Sequence, residues 1–466
     1  MSAQTSTESF PERPKLPQEL FDLIIDQSRD NKSSLQELSL VSDSFCQQAR
    51  RHLFRSIEVT CAETSGEPYE HFEKDDEYHQ SLNNKHLTIH EFVRLCESPR
   101  STWRPGVVKK LKLTPCFSDG YGCLSLLAAS DDPIATKLKM PRTQDIFRTV
   151  TSLRLSFTDA EDWHHSSLCE FILKTFPSIR CLSLESVIFS NIEDLWNIFL
   201  SIPLLEEFEW IGGTSCCWSP PATLSNAGQQ LPNLRSFSFE GNMDISLGDL
   251  MPVLSHLPKS HLSRYEFHLV HRNDFPAIST LMTMAGSDGP VKQQWSFRFT
   301  ANTYRDTPRA YDPQNSQDRD FIVKHLCLLR NPRISELTFA DHHGWDLIPE
   351  VLERFVKVSS SGSNLESIIL PEFVVVDEWS GESSVLPELK RIDETLNHHV
   401  FSCLQELHFH SIRSYGLMDT PRSLDERTRS ARWGTFERVL EDIERRCVPR
   451  AVKRGIWRLH TSDWVV

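Results

Sequence analysis

Glycine is scarce in this chain, with 17 among 466 residues. Ten strands wound into a single doubly wound sheet would call for more glycine turns than that number readily supplies. No CxxC pair occurs among the 12 cysteines, and only Cys216 and Cys217 are adjacent. That excludes zinc-ligand spacing and a dense disulfide framework. The thiols are expected to be reduced, as in a cytoplasmic or nuclear protein. Basic residues are outnumbered, 50 Lys and Arg against 64 Asp and Glu, for a net charge of −14. A general nucleic-acid binder needs clustered cations for phosphate, so nucleic acid is not an expected partner. No run approaches the ~18 apolar residues of a membrane span, and Met1–Pro14 has no apolar core of a secretory signal. No membrane partner is expected. The phosphate-loop, GxSxG, GxGxxG and HExxH patterns are also missing. The chain therefore reads as non-enzymatic, with no catalytic residue and no cofactor.

What is present begins after a Ser-, Thr-, Glu- and Pro-rich start, residues 1–13, expected to be disordered. Leu16-Pro17 opens a helical pattern, since a proline in the first turn loses no hydrogen bond. Leu20, Phe21, Leu23, Ile24 and Ile25 make its apolar face. Ser34 with Glu37 reads as a capping box for a second helix carrying Leu35, Leu38, Leu40 and Val41. Ser42 is placed to cap a third, through Phe45, Ala49, Leu53 and Phe54. Ile57 and Val59 then look extended.

This stretch resembles an F-box. The residues that carry the likeness are Leu16-Pro17-Gln18-Glu19-Leu20, Ile24-Ile25, Leu38-Ser39-Leu40-Val41-Ser42 and Phe45, the last standing where many members have Trp. Ala49 to Arg55 is similar to the family's third helix leading into a strand. The likeness covers residues 14–58, about a tenth of the chain. It implies docking on the adaptor of a cullin–RING (SCF-type) ubiquitin ligase, with Leu16, Pro17, Leu20, Ile24, Val41 and Phe45 as the adaptor-binding residues. Without the resemblance, the same residues read as a helical cap over the end of a solenoid.

From Val108 a second pattern recurs, apolar-x-x-apolar-x-apolar. Its last two positions fall on Leu111 and Leu113, Leu153 and Leu155, Leu182 and Leu184, Phe208 and Trp210, and Phe237 and Phe239. They continue at Tyr265 and Phe267, Phe297 and Phe299, Leu337 and Phe339, Ile368 and Leu370, and Leu407 and Phe409. Windows chosen on two columns prove nothing about those columns. The column three residues earlier is an independent test, and nine of its ten residues are apolar, Gln294 being the exception. A 39% hydrophobic composition would give about four. Pro177, Pro203, Pro232 and Pro332 stand two residues before that column, where a proline stops a helix and lets a strand begin. Leu153, Leu182, Phe208, Phe237 and Tyr265 follow one another at 29, 26, 29 and 28 residues. These spacings sit at the long end of the leucine-rich-repeat range. Longer units contain inserted loops, near Asp119–Met140 and Asp306–Gln317. Among the repeats' ninth positions, Cys116, Asn242 and Asn302 are those carrying the Asn or Cys typical of that family.

The fold expected is thus α/β: a degenerate leucine-rich-repeat-like solenoid with parallel strands inside, helices outside and an N-terminal three-helix module. Separate α/β domains with parallel sheets are the alternative. The expected divisions are 14–58 for the F-box-like module, 59–105 for a linker and cap region, 106–415 for the repeats and 416–466 for a C-terminal cap. The acidic stretch Cys61–Lys85 reads as a solvated loop. His164-His165, His342-His343 and His398-His399 are adjacent pairs, which on a strand point to opposite faces, so no metal is expected.

Period-2 alternation puts Arg180, Ser183, Glu206, Glu207, Glu209, Arg235, Ser236, Arg264 and Glu266 on the inner face of the strands. Arg180, Glu206 and Arg235 alternate in sign along one column, which suggests mutual neutralisation. If Glu206, Glu207 and Glu209 exceed their partners, they form a target-binding patch for a basic segment.

A solenoid with such a module reads as a substrate-recognition subunit of the ligase. The adaptor, and through it the cullin, would hold one end, and an unknown target protein the other. The alternatives are a repeat scaffold without ligase association and an enzyme whose site has no familiar motif.

Overall fold

In the computed structural model, most strand segments of the chain line up in sequence order. The structure describes residues 17–60, 87–98, 103–114, 140–156, 172, 174–187, 189, 192–212, 234–240, 246–257, 260–270, 274–290, 292–299, 316–326, 331–340, 345–359, 362–371, 373–376, 385–409, 412–415 and 438–458. Several positions singled out above lie outside these: Leu16, the acidic stretch Cys61–Lys85, Cys116, His164-His165, Asn242, Asn302 and His342-His343.

Three helices come first: α1 (Gln18–Gln27), α2 (Lys32–Leu38) and α3 (Asp43–Leu53). Pro17 takes the N-cap position of α1. Ser42 caps α3 as expected, accepting from the Phe45 N–H. The capping box at Ser34 is not what starts α2. Asn31 caps it instead, accepting the Ser34 N–H at 3.0 Å, because its side chain reaches the orphan donors one turn earlier.

The strands follow: β1 (Ser56–Thr60), β2 (Leu87–Thr88), β3 (Lys110–Thr114), β4 (Ser152–Ser156), β5 (Cys181–Glu185), β6 (Glu207–Ile211) and β7 (Ser236–Glu240). Next come β8 (Arg264–Val270), β9 (Gln293–Phe299), β10 (Ile334–Phe339), β11 (Ser367–Leu370), β12 (Phe373–Val376), β13 (Glu406–Phe409) and β14 (Ile412–Tyr415). Twelve form one sheet in the order β13-β11-β10-β9-β8-β7-β6-β5-β4-β3-β1-β2, every pair parallel. β12 and β14 pair parallel in a small second sheet. A parallel sheet laid down in chain order but for β2 at its edge, with a helix in most crossovers, is a leucine-rich-repeat-like α/β solenoid. The sheet begins at Ser56, ahead of the expected repeat start at 106.

Alternation builds its core. Leu153 and Leu155 pair with Leu182 and Leu184, these with Phe208 and Trp210, and these with Phe237 and Phe239, all buried. The two columns run from Ile57 and Val59 to Leu407 and Phe409. The preceding column is also buried from Val108 through Ile179, Leu205 and Leu234 to Leu404. Against these pack the helices Ile192–Ser201, Leu247–Leu254, Phe275–Asp288, Ser316–His325, Leu347–Val358 and Val385–Leu396. Leu195, Trp196, Ile198 and Phe199 show how one such helix commits a whole face to the core.

One repeat is offset from the sequence reading. In β9 the core pair is Trp295 and Phe297, opposite Tyr265 and Phe267, and not Phe297 and Phe299. Gln293 stands opposite Ile334 of the next unit, a buried place filled elsewhere by an aliphatic residue. Its amide is satisfied there. Nε2 donates to the Ala285 carbonyl at 3.0 Å, while Oε1 accepts from Asn331 at 2.6 Å and Trp295 at 3.2 Å. A polar residue in an apolar column defeats a hydrophobicity pattern but not the fold, because its hydrogen bonds are made.

The far end is closed by the chain itself. Asp393 accepts the N–H groups of Arg450 and Ala451, starting the helix Pro449–Lys453. Gly455, at φ 67°, then turns the chain so that the Ile456 carbonyl and Arg458 N–H bond Leu407 on the edge strand β13. Val439, Leu440 and Ile443 are buried, and Asp442 pairs with Arg445 and Arg446, as expected of an amphipathic cap.

Candidate functional site

Two surfaces stand out, the N-terminal helices and the face of the sheet that is helix-free among the described residues. In the N-terminal module, Phe21 and Ile25 lie one turn apart on α1 and face α3. Phe21 meets Phe45 at 4.9 Å between ring centroids. Ile25, Leu35 and Ala49 form a small core, packed by Leu38, Phe45 and Leu53. This cluster is separate from the continuous core of the solenoid. Asp26 ties α1 to α3, accepting from Gln48 at 2.9 Å and meeting His52 Nε2 at 2.6 Å. The hydrogen bond from His52, then that from Gln48, holds the Asp26 carboxyl below its ordinary value of 3.8.

What this small core leaves out is large. Leu20 is 45% exposed, Ile24 52%, Val41 65%, Leu23 56% and Leu40 85%. Of the residues the resemblance nominated, Leu20, Ile24 and Val41 are exposed with Pro17, Phe45 is half-buried in the module core, and Leu16 is not described. Leu23 and Leu40 were not nominated. For Leu23 the signal was a helix with more apolar residues than one face can bury, whereas Leu40 lies in the turn after α2.

On the sheet, the helix-free face carries the charge. Glu206 lies between Arg180, which donates to it, and Arg235 at 3.9 Å. The alternating column does neutralise itself, so Glu206 is not surplus. Exposed ion pairs of this sort contribute about 0–1 kcal/mol. Lys112 pairs with Glu58 at 2.8 Å and Arg154 with Glu185 at 3.1 Å. Glu207 and Glu209 differ. Glu207 engages the thiol of Cys181, and Glu209 accepts from Ser183 Oγ at 2.6 Å. Neither has a Lys or Arg partner among the described residues, nor does Glu240. Glu266 is held by His268 and by Arg264 Nε at 2.8 Å. The His268 hydrogen bond, with Arg264 beside it, keeps the Glu266 carboxyl below its ordinary range despite burial.

Nothing described assembles as a catalytic or metal centre. Among the described residues no group of three or more His, Cys, Asp or Glu side chains is placed to hold a metal. His398 caps the short helical turn His399–Phe401, accepting the Val400 N–H at 3.4 Å. A cleft of about 440 Å³ between outer helices is lined by Arg319, Glu350, Glu353 and Arg391. There Arg391 bonds Glu353 at 2.8 Å and Arg319 approaches Glu350 at 3.7 Å, which staples neighbouring helices. Among the described residues no helix is long and apolar enough to cross a membrane.

No family model matches the chain, and neither does any curated protein. Solved structures do match. One is the crystal structure of a Bacteroides fragilis protein determined as a structural-genomics target, 10% identical, covering 67% of this chain and 70% of that one at a TM-score of 0.34. A likeness that slight carries no argument, and the fold assignment rests on the strand order itself.

Proposed function

We propose that this chain is a substrate-recognition subunit of a cullin–RING ubiquitin ligase. In this reading it docks on the ligase adaptor through residues 17–53 and presents the helix-free face of its solenoid to a target protein. One observation carries the reading. Five large apolar side chains of the N-terminal module, Leu20, Leu23, Ile24, Leu40 and Val41, are exposed around a core of three buried residues. A helical cap whose work was to shield the solenoid would turn those side chains inward. Clustered exposed apolar residues mark a surface that a partner covers. The motif order quoted above selects the adaptor as that partner. The chain would supply no bond-making group. It would raise the effective concentration of a bound target near an enzyme carried by the complex.

The test is co-purification with the adaptor, together with a thermal melt. Wild type is expected to bind at micromolar or tighter dissociation constant, about −8 kcal/mol. Leu20→Asp with Ile24→Asp puts two charges into a dry contact and is expected to abolish capture, since an unpaired buried charge is costly. The melt should stay within about 0.5 kcal/mol of wild type, because neither side chain is in a core. Failure of wild type to bind at micromolar concentration removes the ligase reading and leaves a repeat scaffold.

A further inference from the structure

The register of the sheet brings three carboxylates and two unsatisfied polar atoms to one place on the helix-free face. Glu209 on β6, Ser238 on β7 and Glu266 on β8 are cross-strand neighbours in one column. Glu240 and His268 are neighbours in the next. Adjacent strands lie about 4.8 Å apart, so the two glutamates of the first column stand about 10 Å apart with a single small residue between them. That residue is unusual. Ser238 is 5% exposed, and its Oγ has no hydrogen-bond partner. Its neighbour His268 spends one ring nitrogen on Glu266, while its Nδ1 is buried without a partner. Buried polar atoms are nearly always paired, so two orphans on adjacent strands beside unpaired carboxylates point to a ligand.

The chemistry of that ligand follows from what is missing. A serine hydroxyl can accept a hydrogen bond. Glu209 and Glu240 add negative charge that no Lys or Arg among the described residues offsets. Residues 213–233, between β6 and β7 in the sequence, contain no Lys or Arg. Arg264 already pairs with Glu266, so the charge left to be matched is that of Glu209 and Glu240. A metal ion is a poor fit, because these carboxylates do not converge as ligands. A guanidinium is a good one. It is planar, always charged, and offers five N–H donors spread over several ångströms.

We propose that this notch, formed by Glu209, Ser238, Glu240, Glu266 and His268, binds an arginine side chain of a basic peptide segment lying across β6, β7 and β8. The guanidinium seats beside Glu209, donates to the Ser238 hydroxyl, and takes Glu240 as a further counter-charge. The proposal rests on the sheet face alone and not on the ligase reading.

The test is fluorescence anisotropy of a labelled peptide of alternating Arg and Ser residues with the full chain, without adaptor. Peptides with Lys or Glu in place of Arg run alongside. The Arg peptide is expected to bind, at least tenfold tighter than the Lys peptide, and the Glu peptide not at all. Glu209→Gln with Glu240→Gln keeps side-chain volume and removes two charges, and is expected to weaken the Arg peptide at least tenfold with an unchanged melt. Glu394→Gln with Glu441→Gln, on exposed outer positions, removes the same net charge from a chain of charge −14 and is expected to leave binding unchanged. Ser238→Leu fills the notch without altering charge and is expected to block binding, which separates a built site from general attraction. The proposal is overturned if the Arg peptide does not bind wild type, if Lys serves equally, or if the outer-surface variant weakens binding as much as the notch variant. Binding by a folded Ser238→Leu protein equal to wild type overturns it too.

Discussion

Phe237→Ala tests the column model of the core where it is most densely packed. Phe237 is 1% exposed at the middle of β7, with Phe208 at 6.2 Å and Phe267 at 6.5 Å between ring centroids. Removing a buried Phe side chain costs about 3–5 kcal/mol through lost transfer energy and the cavity left behind. Aromatic neighbours add about 0.5–1.5 kcal/mol for each pair broken. A further detail favours the upper end. A small void of about 10 Å³ already borders Phe237 with Leu254, Leu257, Tyr265 and Met284. Truncation would enlarge it, and neighbours that already leave a gap there are not expected to collapse into a larger one. The expected loss is therefore about 4–5 kcal/mol. Phe237→Leu keeps most of the volume and should cost about 1–2 kcal/mol. Urea unfolding followed by tryptophan fluorescence measures both, because Trp196, Trp210 and Trp295 are buried in the same core. The slope with urea must be watched, since a solenoid can unfold unit by unit. A loss under about 1 kcal/mol for Phe237→Ala, with an unchanged slope, would refute the packing argument.

Two further outcomes follow from local electrostatics. Asp26 has its pKa depressed by His52 and Gln48, so its bonds favour the folded module above pH 3.8, and that contribution is lost as pH falls below 3.8 through the folded value. Asp26→Asn should flatten the acid dependence of amide-exchange protection in α1 and α3; a protection profile identical to wild type below pH 4 would count against it. Burial pushes the Cys96 and Cys181 thiols up to about 12, aided at Cys181 by Glu207, whereas Cys403 is exposed. Iodoacetamide at pH 8 should therefore alkylate Cys403 well before Cys96 or Cys181 in the native protein, because the thiolate is the nucleophile; equal labelling rates by mass spectrometry would contradict the burial.

The solenoid was legible because its signal is repeated. A single apolar-x-x-apolar-x-apolar window means little, but ten of them set strand after strand, and the third column could be checked without circularity. The reading failed at β9 for a local reason. Gln293 fills an apolar column with a satisfied amide, so the window slid two residues onto Phe297. Capping misled at Ser34 in the same way: two candidate caps, Asn31 and Ser34, lie three residues apart, and sequence cannot say which side chain reaches the free N–H groups. The candidate notch was half legible. Alternation put Glu209 and Glu266 on one face, but their alignment with Ser238 depends on loop lengths between strands, which fix register and leave no periodic trace. That Glu206 is spent on two arginines, while Glu240 has none, likewise appears only once the columns are aligned.

The junction between the two parts bears on how the proposed receptor would act. α3 ends at Leu53 and β1 starts at Ser56, so two residues join the module to the sheet. Those two residues are bound into the solenoid. The Arg55 carbonyl accepts the N–H groups of Lys109 and Lys110 at the start of β3, and Phe54 meets Trp103 at 5.3 Å between ring centroids. Trp103 in turn meets Phe92, which stacks on Phe147 in the main core. A flexible tether would let a target sample many positions, and the effective concentration would fall with tether length. A two-residue joint anchored by backbone bonds and an aromatic chain instead fixes the direction in which the sheet extends from the exposed apolar face. In the proposed ligase, the position of a bound target relative to the adaptor would then be set by which strands it contacts. Contact at β6 to β8 places it near the middle of the sheet, four to six strands from β1, which is about 19–29 Å at the usual strand spacing. Inserting a flexible glycine–serine linker between Phe54 and Arg55 should accordingly leave adaptor capture and arginine-peptide binding intact while lowering the rate of ubiquitin transfer to a bound target. An unchanged transfer rate would show that the rigid joint has no part in positioning.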